Sequence, residues 1–318
     1  MMRRELGSTG MVISVVGVGT FAAGGWMWGG QDANDSKAAL HAALDGGVNW
    51  IDTAPIYGDG LADRLVGEVL RERSGAKPLV FTKFGHHLVN GTRVSSGSRA
   101  QVMADCDRGL RDLGVERIDL FQHHWPASEP VAETAQACAD LITAGKIRAV
   151  GVSNYSLEQL IAWHATGLPL HCLQTPYSIL KPQAATGLIP WCLEHGVGVL
   201  AYSPLQRGLL FGTWGADKTF PSGDHRGERS DYTGPRLARS LAAVEELRAI
   251  GVEDDMTVPQ LAIGALLCTE GLTACIVGAR NATQGAALGE LGTPLREAQR
   301  SRVDEVASHL LSDLAALP

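Results

Sequence analysis

Eight short apolar runs, each followed by a polar or helix-patterned stretch, most restrict the folds open to this chain. They are VVGVGT (15–20), NWIDTA (49–54), PLVFTKFG (78–85), RIDLFQHH (117–124), IRAVGVSN (147–154), HCLQTPYS (171–178), GVLAYSPL (198–205) and TACIVGAR (273–280). Most are nearly continuous in apolar residues, as strands covered on both faces must be. The intervening stretches carry helical spacing. A pattern beginning near Ser98 sets Val102, Cys106, Leu110 and Leu113 on one side. Another starts after Asp35 or Ser36, both plausible caps, and stops at Gly46-Gly47. Such alternation implies βα units and a parallel sheet. Eight units in 318 residues predict one closed (β/α)8 barrel spanning residues 1–318.

Two pieces fall outside the repeat. RRELGSTGMVIS (3–14) reads as a hairpin turning at Ser8-Thr9-Gly10, a plug for the barrel floor. Gly212 to Pro235 is long, polar and rich in Gly, Asp and Arg. It comes after the seventh run, so it is expected over the C-terminal mouth, and loops of that length carry function or lack order.

A 45% hydrophobic content suits a large core. The net charge of −7 argues against nucleic acid or an anionic membrane as principal partner. The start, MMRRELGSTG, lacks the apolar stretch of a signal peptide, and no run approaches a membrane span. The six cysteines form no CxxC pair and mostly occupy apolar positions. They read as reduced core thiols of a cytoplasmic protein. Trp163, Trp191 and Trp214 suit core or interface alike, so no oligomeric state is assigned.

GVGTFA (17–22) fits the G-x-G-x-x-A dinucleotide fingerprint, but that motif needs a helix directly behind it. The next residues, AGGWMWGGQ, are too rich in glycine for a helix. The segment is better read as a loop whose Trp26 and Trp28, with Phe21, Trp125 and the long loop, wall a ligand pocket.

In a barrel of this kind chemistry sits at the C-terminal strand ends. Asp52 and Tyr57 lie at the end of the second run, Lys83 ends the third, and His123 and His124 end the fourth. A strand lysine is costly to bury unless paired, and Asp52 is the obvious partner. A phenol titrates near about 10, and a nearby ammonium is expected to lower that value, making Tyr57 a tuned proton donor. Adjacent strand residues point to opposite faces, so His123 and His124 cannot both serve one site. That counts against a metal centre built from His86, His87, His123 and His124. Periodicity does not say which of the pair faces the mouth.

DTAPIYG, FTKFG, DLFQHHWP, GVSNY, LQTPYSIL, AYSPLQRGLL and IVGARNATQ together resemble the motifs of the aldo-keto reductase family, in order, from about Gly17 to Gln284. Within it, GGWMWGG and FPSGDHR resemble bacterial members near the general-stress and inositol-locus reductases. The resemblance implies a (β/α)8 barrel that binds NADP(H), sometimes NAD(H), without a Rossmann fold and reduces aldehydes, ketones or sugars. It assigns the catalytic tetrad to Asp52, Tyr57, Lys83 and His124, with His123 in a packing position. It places Ser153, Asn154 and Gln174 on the nicotinamide carboxamide and Tyr202 against the ring. Ser203, Leu205 and Gly208 match the pyrophosphate loop, and Gly19 and Thr20 the cofactor-facing end of the first strand. Gly278, Arg280 and Gln284 match the adenosine end, where Ala287 and Leu288 replace a hydrogen-bonding Glu-Asn pair. Arg280, with Arg226 from the long loop, suits a phosphate, so NADP(H) is favoured over NAD(H). A sugar dehydrogenase running oxidatively, or a cofactor-binding sensor or auxiliary subunit with little turnover, is the alternative.

Overall fold

The computed structural model describes residues 1–25 and 27–317. Its centre is a closed barrel of eight parallel strands: β3 (Val16–Gly19), β4 (Trp50–Asp52), β5 (Leu79–Phe84), β8 (Ile118–His123), β9 (Ile147–Ser153), β10 (Cys172–Pro176), β11 (Gly198–Tyr202) and β12 (Leu272–Gly278). They correspond one to one with the eight apolar runs. β1 (Arg3–Glu5) and β2 (Val12–Ser14) form the expected antiparallel hairpin. The helices are α1 (Ala33–Asp45), α2 (Leu61–Glu72), α3 (Arg99–Leu113), α4 (Val131–Thr143), α5 (Leu157–His164), α6 (Leu188–Glu194), α7 (Gly234–Asp254), α8 (Val258–Leu267), α9 (Ala282–Ala287) and α10 (Glu297–Ala315). No helix among the described residues is long and apolar enough to cross a membrane.

α1 begins earlier than its apolar spacing suggests. Its cap is Asp32, whose carboxylate accepts from the amides of Asn34 and Asp35, so Asp35 and Ser36 lie inside the first turn. An acid there still suits the positive end of the helix dipole. α3 is capped by Ser98 as expected.

Two apolar cores flank the strands. The outer one lies between sheet and helices. The inner one fills the bore with Trp50, Phe81, Leu120, Ala149, Leu200 and Ala274, and the hairpin seals its floor with Leu6, Met11 and Ile13. Each large side chain buried this way contributes roughly 1.5–3 kcal/mol. The Trp50 indole donates to the Ser14 carbonyl at 2.8 Å, which ties plug to bore. Gly17 on β3 is required beside it, since a Cβ there would lie 2.2 Å from the indole.

A hairpin not anticipated from the apolar runs comes directly after β5: β6 (His86–Val89) and β7 (Thr92–Ser95), antiparallel. Its turn is Asn90-Gly91, both at positive φ (50° and 78°). That dipeptide between LV and TRV was the available signal. The stretch from Thr213 to Arg229 is largely irregular and does cover the mouth, where Asp224 bridges to Trp28.

Candidate active site

Barrel register brings the polar strand ends together. Asp52 lies opposite Phe81, and Lys83, two residues further along β5, points the same way and pairs in register with Gln122. Lys83 Nζ donates to Asp52 Oδ1 at 2.5 Å and to the Thr53 carbonyl at 2.9 Å. Asp52 Oδ2 accepts from Gln174 Nε2 at 2.8 Å and Gln122 Nε2 at 3.3 Å. Both ions are almost wholly buried, a placement tolerable only with their remaining groups hydrogen-bonded. Behind them α2 buries Asp63, which accepts from Thr53 Oγ1 at 2.6 Å and Thr82 Oγ1 at 3.3 Å. Burial pushes its carboxyl up to about 6, against the opposing pull of those hydroxyls and Lys83. The Tyr57 ring lies 5.5 Å from Lys83 Nζ and 5.9 Å, edge-on, from the His124 ring.

The two histidines divide as alternation requires. His124 borders the mouth cavity; its amide donates to the Phe84 carbonyl and its Nδ1 is buried without a partner among the described residues. Burial, then the Lys83 charge, holds its pKa well below the ordinary value, so the imidazole is neutral at pH 7. His123 faces the helices, stacked on Phe84 with its Nδ1 2.8 Å from the Tyr155 hydroxyl. His87 pairs with Asp105, while His86 turns toward the cavity. The four histidines thus do not converge, and the described residues hold no group of three potential metal ligands.

Above these groups opens a cavity of about 840 Å³. On one side Asn154, at φ 63°, donates through Nδ2 to the His124 carbonyl and to Ser153 Oγ, and accepts from the Tyr202 hydroxyl at 2.8 Å. Beyond Tyr202 the chain turns back through Ser203, Gln206, Arg207 and Gly208, all at positive φ. Such conformations cost about 1–3 kcal/mol for non-glycine residues and cluster at ligand sites. Leu205 also borders this stretch, and Gly19, Thr20, Gln174, Gly278, Arg280 and Gln284 complete that part of the lining. Phe21, Trp28 and Trp125 wall the other part, with Phe21 5.0 Å from the Tyr57 ring and Trp125 at the exposed rim. Trp26, expected beside them, lies outside the described residues. Lys83 alone of the expected catalytic set sits behind the lining, beneath Asp52 and Tyr57.

A sequence profile of the aldo/keto reductase family matches residues 15–308. The chain belongs to that family. It is 34% identical over 313 residues to the aldo-keto reductase YhdN of Bacillus subtilis, covering 97% of this chain and 94% of the relative. It is 30% identical over 297 residues to the NADH-specific methylglyoxal reductase of Escherichia coli, covering 88% and 90%. Among solved structures, the glycerol dehydrogenase AKR11B4 from Gluconobacter oxydans superposes with a TM-score of 0.89 at 34% identity, covering 97% of this chain and 96% of that one. The holo form of AKR11C1 from Bacillus halodurans gives 0.79 at 26% identity, covering 96% of each. This aldo/keto reductase is therefore an oxidoreductase acting on carbonyl compounds, in a family that uses nicotinamide cofactors.

Two expectations need correction. Tyr57 is not a phenol of lowered pKa: burial, then the charges of Asp52 and Asp63, push it well above the ordinary value. The Lys83 charge, paired with Asp52, does not outweigh them. Arg226 is not a free phosphate clamp. Its Nε and Nη2 donate to Asp224 at 3.0 and 2.6 Å, its Nη1 to the Arg207 carbonyl, and its plane lies 4.5 Å from the Trp28 ring. It pins the mouth loop while bordering the cavity. Arg280 is partly engaged, donating from Nε to Gln31 and from Nη2 to the Gly30 carbonyl.

One cation was missed. Arg207 borders the cavity half-buried, and its guanidinium makes no hydrogen bond or ion pair among the described residues. Its neighbours Ser203 and Gly208 were already suspect, and the arginine between them was the overlooked signal. His225, stacked edge-on against Trp28 with Nδ1 2.6 Å from the Met27 carbonyl, was missed because it lies in the irregular loop.

Proposed function

We propose that this chain is an NADP(H)-dependent reductase of aldehydes or ketones, sugars included, with Tyr57 as proton donor. The observation that carries the reading is the joining of two half-sites in one cavity. At one end Tyr57 and neutral His124 border a space walled by aromatic rings. At the other an unpaired guanidinium, Arg207, lies on a loop of left-handed residues.

The residues present fit a nicotinamide dinucleotide. A half-buried cation without a partner suits a pyrophosphate, and Gly19 and Gly208 keep the backbone accessible where a Cβ would meet Ile276 or Trp214 within 3.0 Å. Ser153, Asn154 and Gln174 would hold the carboxamide, and Tyr202 would present a ring face beside it. Ser203, Leu205 and Gly208, with Arg207, would take the pyrophosphate; Gly278, Arg280 and Gln284 the adenosine end, where the unspent Nη1 of Arg280 suits a 2′-phosphate. When bound, the cofactor supplies the hydride.

The chain's own groups do the rest. Neutral His124 orients the carbonyl oxygen by a hydrogen bond. Tyr57 gives its proton to that oxygen as negative charge develops there. Its raised pKa makes it a reluctant acid toward water and a competent one toward an alkoxide, which is the stronger base. Lys83, held by Asp52, stabilises the phenolate left behind. Gln122 and Gln174 fix Asp52, so the ammonium does not wander. The same groups run in reverse for alcohol oxidation, and the related glycerol dehydrogenase makes polyol oxidation the second reading.

The test titrates purified protein with NADPH and NADH by quenching of tryptophan fluorescence, then tracks 340-nm absorbance with a panel of carbonyl compounds. The expected result is tighter NADPH binding and consumption that Tyr57→Phe abolishes while still binding nucleotide. Absence of binding to either nucleotide would overturn the proposal, and binding without turnover would favour a sensor or auxiliary subunit.

A further inference from the structure

The mouth holds a second imbalance, on the side away from the cofactor residues. His86 opens β6 and turns its ring to the cavity, 5.3 Å from the His124 ring and 6.3 Å from that of Trp125. Ser95 is its register partner across the hairpin, and Ser95 Oγ lies 3.0 Å from His86 Nδ1. One ring nitrogen is thereby anchored and the other, Nε2, has no partner among the described residues. Two imidazoles at this separation can each reach one of two oxygens borne on adjacent carbons.

We propose that His86 is a specificity-determining residue that selects carbonyl substrates carrying a hydroxyl on the carbon next to the carbonyl. This rests on the reductase reading above, since it places the carbonyl oxygen against Tyr57 and His124. The hydroxyl is chosen over a carboxylate on chemical grounds. Burial first, then the nearby Arg93 guanidinium, holds the His86 pKa down to about 4, so the ring is neutral at working pH. A neutral imidazole offers Nε2 as donor in one tautomer and acceptor in the other. The Ser95 hydroxyl can stabilise either tautomer. A hydroxyl on the ligand answers both, whereas a carboxylate answers only the donor form. Selection by such a contact works through the unpaired group left when the hydroxyl is missing.

The hairpin supplies the anchor and so gives the test its control. The probes are glycolaldehyde and acetaldehyde, which differ by one hydroxyl, and the readout is the ratio of their kcat/KM values. A merely structural histidine would alter both values in proportion. The ratio in His86→Leu is expected to fall about three- to tenfold, the worth of one hydrogen bond, and to be partly restored in His86→Gln, which keeps a neutral donor and acceptor. Ser95→Ala frees the anchor but leaves Nε2 in place, so its ratio should fall less than in His86→Leu, which guards against a hairpin that merely unfolds. Wild-type turnover of both aldehydes with an unchanged ratio in His86→Leu would overturn this inference and leave the reductase intact. Failure of wild type to consume either aldehyde, or to bind nucleotide, would strike the reductase reading itself and this inference with it.

Discussion

Asp63 gives the sharpest energetic test of the site. It lies behind the Asp52–Lys83 pair, and burial raises its carboxyl from an ordinary 3.8 to about 6. At about 1.36 kcal/mol per pH unit, keeping it ionised costs the fold roughly 3 kcal/mol at neutral pH. Proton binding sets the sign. Between about pH 4 and 6 the native state holds a proton on Asp63 that the unfolded chain has lost, so this group's contribution to stability falls as pH rises through that window. Between pH 4.5 and 7.5 the difference integrates to about 2 kcal/mol. Asp63→Asn keeps an acceptor for Thr53 Oγ1 and removes the charge. Urea unfolding of wild type and variant at both pH values is the assay. The variant should gain about 2 kcal/mol relative to wild type on going from pH 4.5 to 7.5. The comparison cancels the opposing titration of His86 and His123, which burial lowers to about 4 in both proteins. A stability difference that does not change with pH would refute the assignment of a buried, costly charge. Because the Asp63 charge is also among the causes of the raised Tyr57 pKa, the alkaline limb of activity in the variant should move to lower pH.

The cations at the mouth give two more outcomes. Arg207→Ala should weaken nucleotide binding by about tenfold or more, the worth of a charge-assisted hydrogen bond, and flatten its salt dependence, as read by fluorescence titration. The same change should leave the nucleotide-free protein no less heat-stable, since an unpaired half-buried cation contributes nothing favourable to the fold. Arg226→Ala strands the buried Asp224 carboxylate, a loss of about 3–5 kcal/mol for such pairs. Because the pair closes a loop and not the core, the loss should appear as faster hydrogen exchange over residues 213–229, with the barrel strands unchanged.

The barrel was legible because its strands are covered on both faces and therefore read as unbroken apolar runs, which no surface helix imitates. The same property hid the choice between His123 and His124. With both faces buried, alternation separates the two residues but gives neither face a polarity. The hairpin from His86 to Ser95 was overlooked because it is half exposed and short, although Asn90-Gly91 announced it. Asp63 looks in sequence like any acid in the first turn of a helix, and only the packing of α2 against β4 and β5 reveals it as buried. The sign of the Tyr57 shift was missed for a related reason. Proximity of a lysine was visible in the motif, but not that burial and the two carboxylates, Asp52 and Asp63, outweigh it. In the case of Arg226 the competing partner, Asp224, stood two residues away in plain view.

The plug under the barrel has a consequence for the chemistry above it. Leu6, Met11 and Ile13 close the floor, and Trp50, Phe81 and Leu120 fill the bore beneath Asp52 and Lys83. Below the ion pair the bore is therefore packed with apolar side chains, which offer no relay to conduct a proton from the underside. On the proposed mechanism, a proton given up by Tyr57 is replaced from above, by the passage that would admit substrate. Reprotonation and product departure then share one doorway, roofed by the strap that Arg226 and Asp224 fasten over Trp28.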